Sequence, residues 1–187
     1  MTPVTPALTR FAMAAESAAR GRVMASDGVA IARIGAGFAD WAELLDLIRT
    51  SFAPMQGIVD PPSSAFALDV EALREKARTE MAHIATMDGQ LVGCIFCREE
   101  NNALYVGKLA ISPTRQGNGI GTRLLALAED VARERNLPAL ELQTRIELTG
   151  NHAFFRSRGF VKSGEGAHAG YERPTWIWMR KALPARQ

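Results

Sequence analysis

No apolar run in this chain approaches the ~18–20 residues that a membrane-spanning helix needs, so no transmembrane segment and no membrane partner are expected. Neither sign of charge dominates. Lys plus Arg number 22 against 20 for Asp plus Glu, a formal +2. An excess that small does not indicate a nucleic-acid binder, though it leaves room for a local basic patch around an anionic ligand. The three histidines, His83, His152 and His168, are scattered. A zinc site would need further ligands at metal spacing, so no metal is expected. The two cysteines, Cys94 and Cys97, form a C-x-x-C. That spacing can mark a redox pair, but such a pair needs a helix N-terminus to lower the attacking thiol's pKa. Residues 90–98 read instead as a strand, where positions three apart point to opposite faces. Two separate buried thiols are the expectation.

What is there is an ordinary globular composition. The chain has 187 residues, 47% hydrophobic and 22% charged. That length fits one domain and buries a core without help from disulfides or metal. Residues 1–25 stand apart, rich in Ala, Thr and Arg, with Glu16 as their only acid. Their composition is similar to that of a transit peptide, without the continuous apolar stretch of a secretory signal. An extra N-terminal helix, or a start at Met24, is the plainer reading. We therefore divide the chain into an extension over 1–28 and a core domain over 29–183, with a cytoplasmic location expected.

The pattern along the core predicts a strand over 29–34. A helix opens at Asp40, with Glu43 in near-capping-box position, and stops at Pro54. Residues 55–64, with Pro61-Pro62-Ser63-Ser64, cannot be regular. A second helix is predicted over 69–80. Strands near 82–87 and 90–98 are joined by Asp88-Gly89, a strong hairpin signal. A third strand over 103–111 completes an antiparallel meander. The spacing then turns helical over 117–136, with Asn136 as C-terminal cap and Pro138 behind it. A strand over 140–144 comes next, parallel to the third strand if the usual crossover applies. A short helix over 151–158 ends at Gly159, and strands near 160–162 and 175–181 close the chain. The fold class is α+β: a single mixed, mostly antiparallel sheet flanked by helices. Exposed aromatic strands such as 175–179 permit a homodimer.

The segment from Leu109 to Gly121 carries the chemistry. A strand runs into a turn, a glycine-rich loop and a helix. Gly117, Gly119 and Gly121 leave backbone N–H groups uncovered at a helix N-terminus, where unsatisfied donors and the helix dipole attract anions. This predicts a phosphate or pyrophosphate site. It is not a Walker loop, because Thr122-Arg123 come after Gly121 and no Lys is in place. It is not a good dinucleotide fingerprint either. The spacing is G-x-G-x-G, and the preceding strands are antiparallel, although Glu141 lies about 20 residues on. A purely structural turn is the remaining alternative.

Gln116-Gly117-Asn118-Gly119-Ile120-Gly121 resembles the Q/R-x-x-G-x-G/A motif of the GCN5-related N-acetyltransferases, the GNAT superfamily. Asn151-His152-Ala153-Phe154-Phe155-Arg156-Ser157-Arg158-Gly159-Phe160 is similar to that family's N-x-A-x-[FY]-x-x-x-G-F segment. The two lie in the right order, with a strand between them, and the resemblance spans 29–183. It implies an N-acetyltransferase of GNAT-like fold with acetyl-CoA as acyl donor. It also implies that the backbone of Leu109, Ala110 and Ile111 pairs with pantetheine. Gln116, Gly117, Asn118, Gly119, Ile120, Gly121 and Thr122 would then hold the pyrophosphate, with Asn151, Phe154 and Phe155 along the pantetheine arm. Arg115, Arg123 or Arg156 could neutralise the remaining phosphate charge.

The sequence departs from the family at the proton-handling positions. Where many relatives have a tyrosine proton donor, this chain has Phe155, which cannot donate. Direct transfer within a ternary complex stays open, because a thiolate is a tolerable leaving group. Where some relatives place a Glu base, this chain has Tyr105 on one strand and Gln143 on the next. Glu141 shares the face of Gln143 and is the nearest carboxylate. Tyr105 and Glu141 are thus the catalytic candidates, against the plainer readings of a packing aromatic and an arginine's partner. His152 is expected to face solvent. Residues 52–68 and 167–178, with His168, Tyr171 and Glu172, are expected to form the acceptor pocket. They lack an acidic cluster that would select a polycation, and suit a small-molecule amine or a peptide end. The alternatives to a small-molecule acetyltransferase are a protein or peptide N-acetyltransferase and a non-catalytic acyl-CoA-binding sensor.

Overall fold

The computed structural model describes residues 24–26 and 28–184. Among these, eight strands form one sheet: β1 (Met24–Ser26), β2 (Val29–Arg33), β3 (Met81–Met87), β4 (Gln90–Glu100), β5 (Ala103–Ile111), β6 (Ala139–Arg145), β7 (Val161–Gly166) and β8 (Trp176–Ala182). The helices are α1 (Trp41–Phe52), α2 (Val70–Thr79), α3 (Ile120–Glu134) and α4 (Thr149–Arg156). Strand order is β1-β2-β3-β4-β5-β6-β8-β7. Every neighbouring pair is antiparallel except β5–β6, which is parallel across the α3 crossover. The mixed, mostly antiparallel sheet flanked by helices is therefore as expected. The reading of 1–25 lies outside the described residues, apart from Met24–Ser26, whose backbone adds an edge strand to β2.

Helices cover both faces. Leu44, Leu45, Leu47 and Ile48 of α1 and Leu73 of α2 pack with Ala82, Cys94, Phe96 and Ala110 on one side. Ile120, Leu124, Leu125 and Ala128 of α3 pack with Ile95, Cys97, Leu104 and Leu140 on the other. Cys94 and Cys97 thus lie on opposite faces, both free and buried. Burial pushes each thiol up to about 12, which rules out a reactive thiolate at neutral pH.

Local signals mostly act as their chemistry predicts. Asp88 and Gly89 take positive φ values of 52° and 76° in the β3–β4 turn, matching the mirror-image turn that suits strand twist. Asn136 ends α3 with φ 56°. Three expectations change. Asp40 precedes α1 without a side-chain cap, and Glu43 accepts from Leu91 N–H at 3.4 Å instead. His152 does not face solvent: it is buried, and its Nε2 donates to Arg145 O at 2.9 Å. Strand β8 is not an exposed strand, because β6 and β7 pair along both of its edges.

Two irregularities shape the centre. Phe96 pairs with Lys108 but Cys97 with Val106, so Gly107 is an extra residue on β5. Such a bulge bends its strand and re-aims the side chains beyond it. Before it, Leu104 and Val106 face α3. After it, Lys108 and Ala110 face the α1 side. The second irregularity is the short β5–β6 pairing, which holds only between residues 104–106 and 140–142. Beyond it, residues 107–111 and 143–145 have no partner across the gap, and the sheet opens into a wedge.

Candidate functional site

A cleft of about 320 Å³ fills the wedge. Its walls are Tyr105 to Leu109 from β5 and Leu142 to Arg145 from β6. Leu148, Asn151, Phe155, Phe52, Met55, Ser63, His168 and Trp176 complete the lining. Ser112 N donates to Val92 O on β4 at 2.9 Å, while Ile111 O turns away from β4 and accepts from Ser51 Oγ at 2.9 Å. Alternation along the strand then aims Ala110 at β4, and the backbone N–H and C=O of Leu109 into the opening. An unpaired strand edge of this kind is a template for an extended ligand.

The same strand leads into the glycine loop. Gly117 and Gly119 have φ values of 83° and 76°, and a Cβ on either would meet nothing within 4 Å. Glycine is required here by the left-handed backbone rather than by crowding. Gly119 precedes α3 with no side-chain cap, and no acid sits in the first turn. The first amides of α3 are therefore open to an anion. Gly121 is a different case. A Cβ there would lie 3.3 Å from Phe154 Cζ, so the helix start is seated directly on α4.

Arg158 reaches this loop, and sequence reasoning missed it. Its Nη2 donates to Thr122 Oγ1 at 2.7 Å. Its Nη1 donates to Phe154 O at 2.9 Å, and its guanidinium lies 3.7 Å from the centre of the Phe154 ring. Arg158 comes four positions after Phe154, a spacing that brings side chains together at a helix end. Arg156, by contrast, is exposed.

The other candidates divide. Tyr105 lines the cleft, its ring edge-on to Trp178 and under the Arg98 guanidinium, 4.2 Å from the ring centre. Burial, partly offset by Arg98, holds its hydroxyl above the usual tyrosine range. At neutral pH the hydroxyl keeps its proton. Glu141 sits opposite Tyr105 in the β5–β6 register, but its Oε1 accepts from Arg180 Nη1 at 2.5 Å. Asn151 and Phe155 line the cleft, and Phe154 packs between α4 and α3. Of the loop, Ile120 and Gly121 are buried, while Gln116, Asn118 and Thr122 are not.

A second carboxylate escaped the sequence reading. Glu80, just after α2, accepts from Lys76 at 2.5 Å and Arg98 at 3.3 Å through Oε1. Its Oε2 is buried without a partner. A Cβ on the bulge residue Gly107 would stand 3.6 Å from that oxygen. No local pattern separates Glu80 from Glu71 or Glu75, because its approach to Gly107 and Arg98 is a contact between segments far apart in the chain.

A family model described as the acetyltransferase (GNAT) family matches residues 41–160. The chain belongs to this family. The matched span runs from α1 past the glycine loop to the end of α4, and so contains most of the cleft. N-acetyl transfer is its reaction class. Among curated relatives, the IAA acetyltransferase of Azospirillum brasilense is 32% identical over 130 residues, covering 68% of this chain and 82% of the relative. The aminoalkylphosphonate N-acetyltransferase of Salmonella typhimurium is 29% identical over 108 residues, covering 51% and 70%. The solved PaiA N-acetyltransferase of Thermoplasma acidophilum, in complex with coenzyme A, superposes with a TM-score of 0.71 over 83% of this chain and 99% of that one. At 18% identity, that likeness is one of fold.

Proposed function

We propose that this GNAT protein transfers the acetyl group of acetyl-coenzyme A to the primary amine of a small molecule, directly and in a ternary complex. One observation carries the reading: strand β5 ends in an uncapped, glycine-opened helix N-terminus, and the same strand borders a wedge that exposes the Leu109 backbone. An anion site and an extended-chain site in line fit a ligand with a pyrophosphate at one end and a linear arm. In this reading Gln116 to Thr122 hold the pyrophosphate, with Arg158 beside them. Leu109 pairs with the arm, flanked by Ala110 and Ile111, with Asn151, Phe154 and Phe155 along its other side. The activities of the two relatives, one of them an N-acetylation of an aminoalkylphosphonate, support a small-molecule acceptor.

When bound, acetyl-coenzyme A supplies an electrophilic thioester carbonyl and a thiolate leaving group. The Leu109 N–H faces the opening and serves charge developing on the carbonyl oxygen. Tyr105, kept protonated by burial, is a phenolic hydroxyl in the cleft wall that can donate a proton. Phe155 packs on Phe160 with ring centres 5.6 Å apart and offers only an apolar edge. Glu141 would have to leave Arg180 to accept the amine proton, so its role is tested separately.

Calorimetric titration with coenzyme A, then thiol release over a panel of amines, tests the reading. Gly119→Glu places a carboxylate against the pyrophosphate and should abolish binding; retained affinity sinks the assignment. One observation favours a second reading, an acyl-CoA sensor: Phe155 stands where a proton donor is usual. Tight coenzyme A binding without thiol release from any amine would select it.

A further inference from the structure

We infer that the acceptor amine carries an anionic group, a carboxylate or phosphonate, and that Arg145 receives it; this rests on the acetyltransferase reading above. Among the described residues, the side chains lining the cleft include Lys108, Arg145 and His168, and no Asp or Glu. The donor's own phosphates belong at the glycine loop, and none of residues 116–122 lines the cleft. The cationic lining is therefore left to the acceptor.

Arg145 is built into this wall rather than draped over it. Its side chain is 14% exposed. Nη2 donates to Pro61 O at 2.5 Å and Nη1 to His168 Nε2 at 3.2 Å. The same Nη1 lies 3.5 Å from His168 Nδ1, so it sits against the ring as a whole. Nδ1 is also hydrogen-bonded with Thr175 Oγ1 at 2.6 Å. The imidazole is thereby anchored and helps to orient the guanidinium. Nε of Arg145 is buried and has no hydrogen-bond partner. The facing carboxylate, Glu147, stands off at 3.9 Å and is shared with Arg173 at 3.8 Å. Nε and the facing Glu147 Oε2 are thus both buried without a hydrogen bond, and the guanidinium is fixed in the cleft wall, where its charge suits a planar or tetrahedral oxyanion.

Lys108 gives a second, weaker argument. Its ammonium lies 5.5 Å from the centre of the Phe52 ring on the α1 side of the cleft. Two cationic side chains facing one small cavity repel a diamine or polyamine and attract an acid. They also favour the neutral, reactive form of a nearby amine, because a like charge disfavours its protonation.

The test is a matched acceptor series on wild type: an amino acid, its phosphonate analogue, its primary amide, and a diamine of equal length. The acids should exceed the amide at least tenfold in kcat/KM, with the diamine poorest; the ratio of phosphonate to carboxylate shows which anion fits. Arg145→Gln should raise KM for the acids at least tenfold, leave the amide within about twofold, and leave coenzyme A affinity unchanged. Lys108→Met gives the same pattern more weakly, should Arg145→Gln fail to fold. Equal use of amide and acid, or equal loss for both in Arg145→Gln, overturns the inference while leaving acetyl transfer intact. Loss of coenzyme A binding in wild type would instead overturn the parent reading. Thermal stabilisation of the coenzyme A complex by the N-acetylated acid over its amide reads the preference without turnover, and its absence also overturns the inference.

Discussion

Tyr105 shows how one side chain changes meaning with its surroundings. On the sequence it is an aromatic in a strand; in the fold it is a phenol in the wall of a cleft, held protonated by burial. Tyr105→Phe keeps the ring, its contact with Trp178 and its stacking on Arg98, and removes only the hydroxyl. We expect kcat to fall about 100-fold or more, the range for a positioned proton donor, with coenzyme A affinity unchanged. Steady-state kinetics beside calorimetry check this, and an unchanged kcat removes Tyr105 from the chemistry. Glu141→Gln is its counterpart. If Glu141 is the base, the rate falls sharply at neutral pH and less at high pH; an unaltered pH–rate profile leaves it as the partner of Arg180. At the same scale, Arg158→Ala should weaken coenzyme A binding by about 1–2 kcal/mol, as for a lost charge-assisted contact, with little effect on kcat.

At the scale of elements, β5 controls the site. Its bulge at Gly107 turns the strand over, its first half pairs with β6 and its second half does not. The loop behind it delivers α3 with its amides uncapped. Strand β7 supports this arrangement from the far side of β8. A Cβ on Gly166 would sit 2.1 Å from Trp176 Cζ2. The Trp176 ring cannot move freely, since it packs edge-on to Trp178 and lines the cleft. Gly166→Ala should therefore destabilise the fold by about 1–3 kcal/mol, as for an overpacked interior, and also raise KM for the acceptor. Urea unfolding and kinetics measure the two effects. Unchanged stability would mean that β7 and β8 separate more easily than their pairing suggests.

At the scale of the whole molecule, stability should depend on pH through His83. It lies on β3 opposite Arg33. Burial first, then the Arg33 charge, lowers its pKa from 6.5 to about 4. Below pH 6.5 the unfolded chain takes up a proton at this ring that the folded chain refuses until about pH 4. Stability is unaffected above that window and falls as pH drops through it, by up to about 3 kcal/mol. The difference in unfolding free energy between about pH 7.5 and about pH 4.5, either side of most of that window, should shrink in His83→Gln. An equal difference in both proteins would clear His83.

What the amino-acid sequence determined by itself is local and periodic. Strand alternation, helix spacing and turn residues such as Asp88-Gly89 and Asn136 depend on neighbours a few positions away, so most elements and the meander of the sheet could be read directly. The glycine loop was legible for the same reason, because an uncapped helix start is a property of a short segment. The N-terminal stretch lies largely outside the described residues. Only the tertiary structure decided which side chains share the cleft. The bulge at Gly107 reverses the faces of β5, and the β5–β6 pairing stops just before it. The closing loops then carry Pro61 and His168 to Arg145 across 84 and 23 positions. Those contacts join segments far apart in the chain, and no spacing within a segment encodes them. The charge in the cleft was hidden likewise: a net +2 says nothing of two cationic side chains facing one cavity that no carboxylate lines among the described residues.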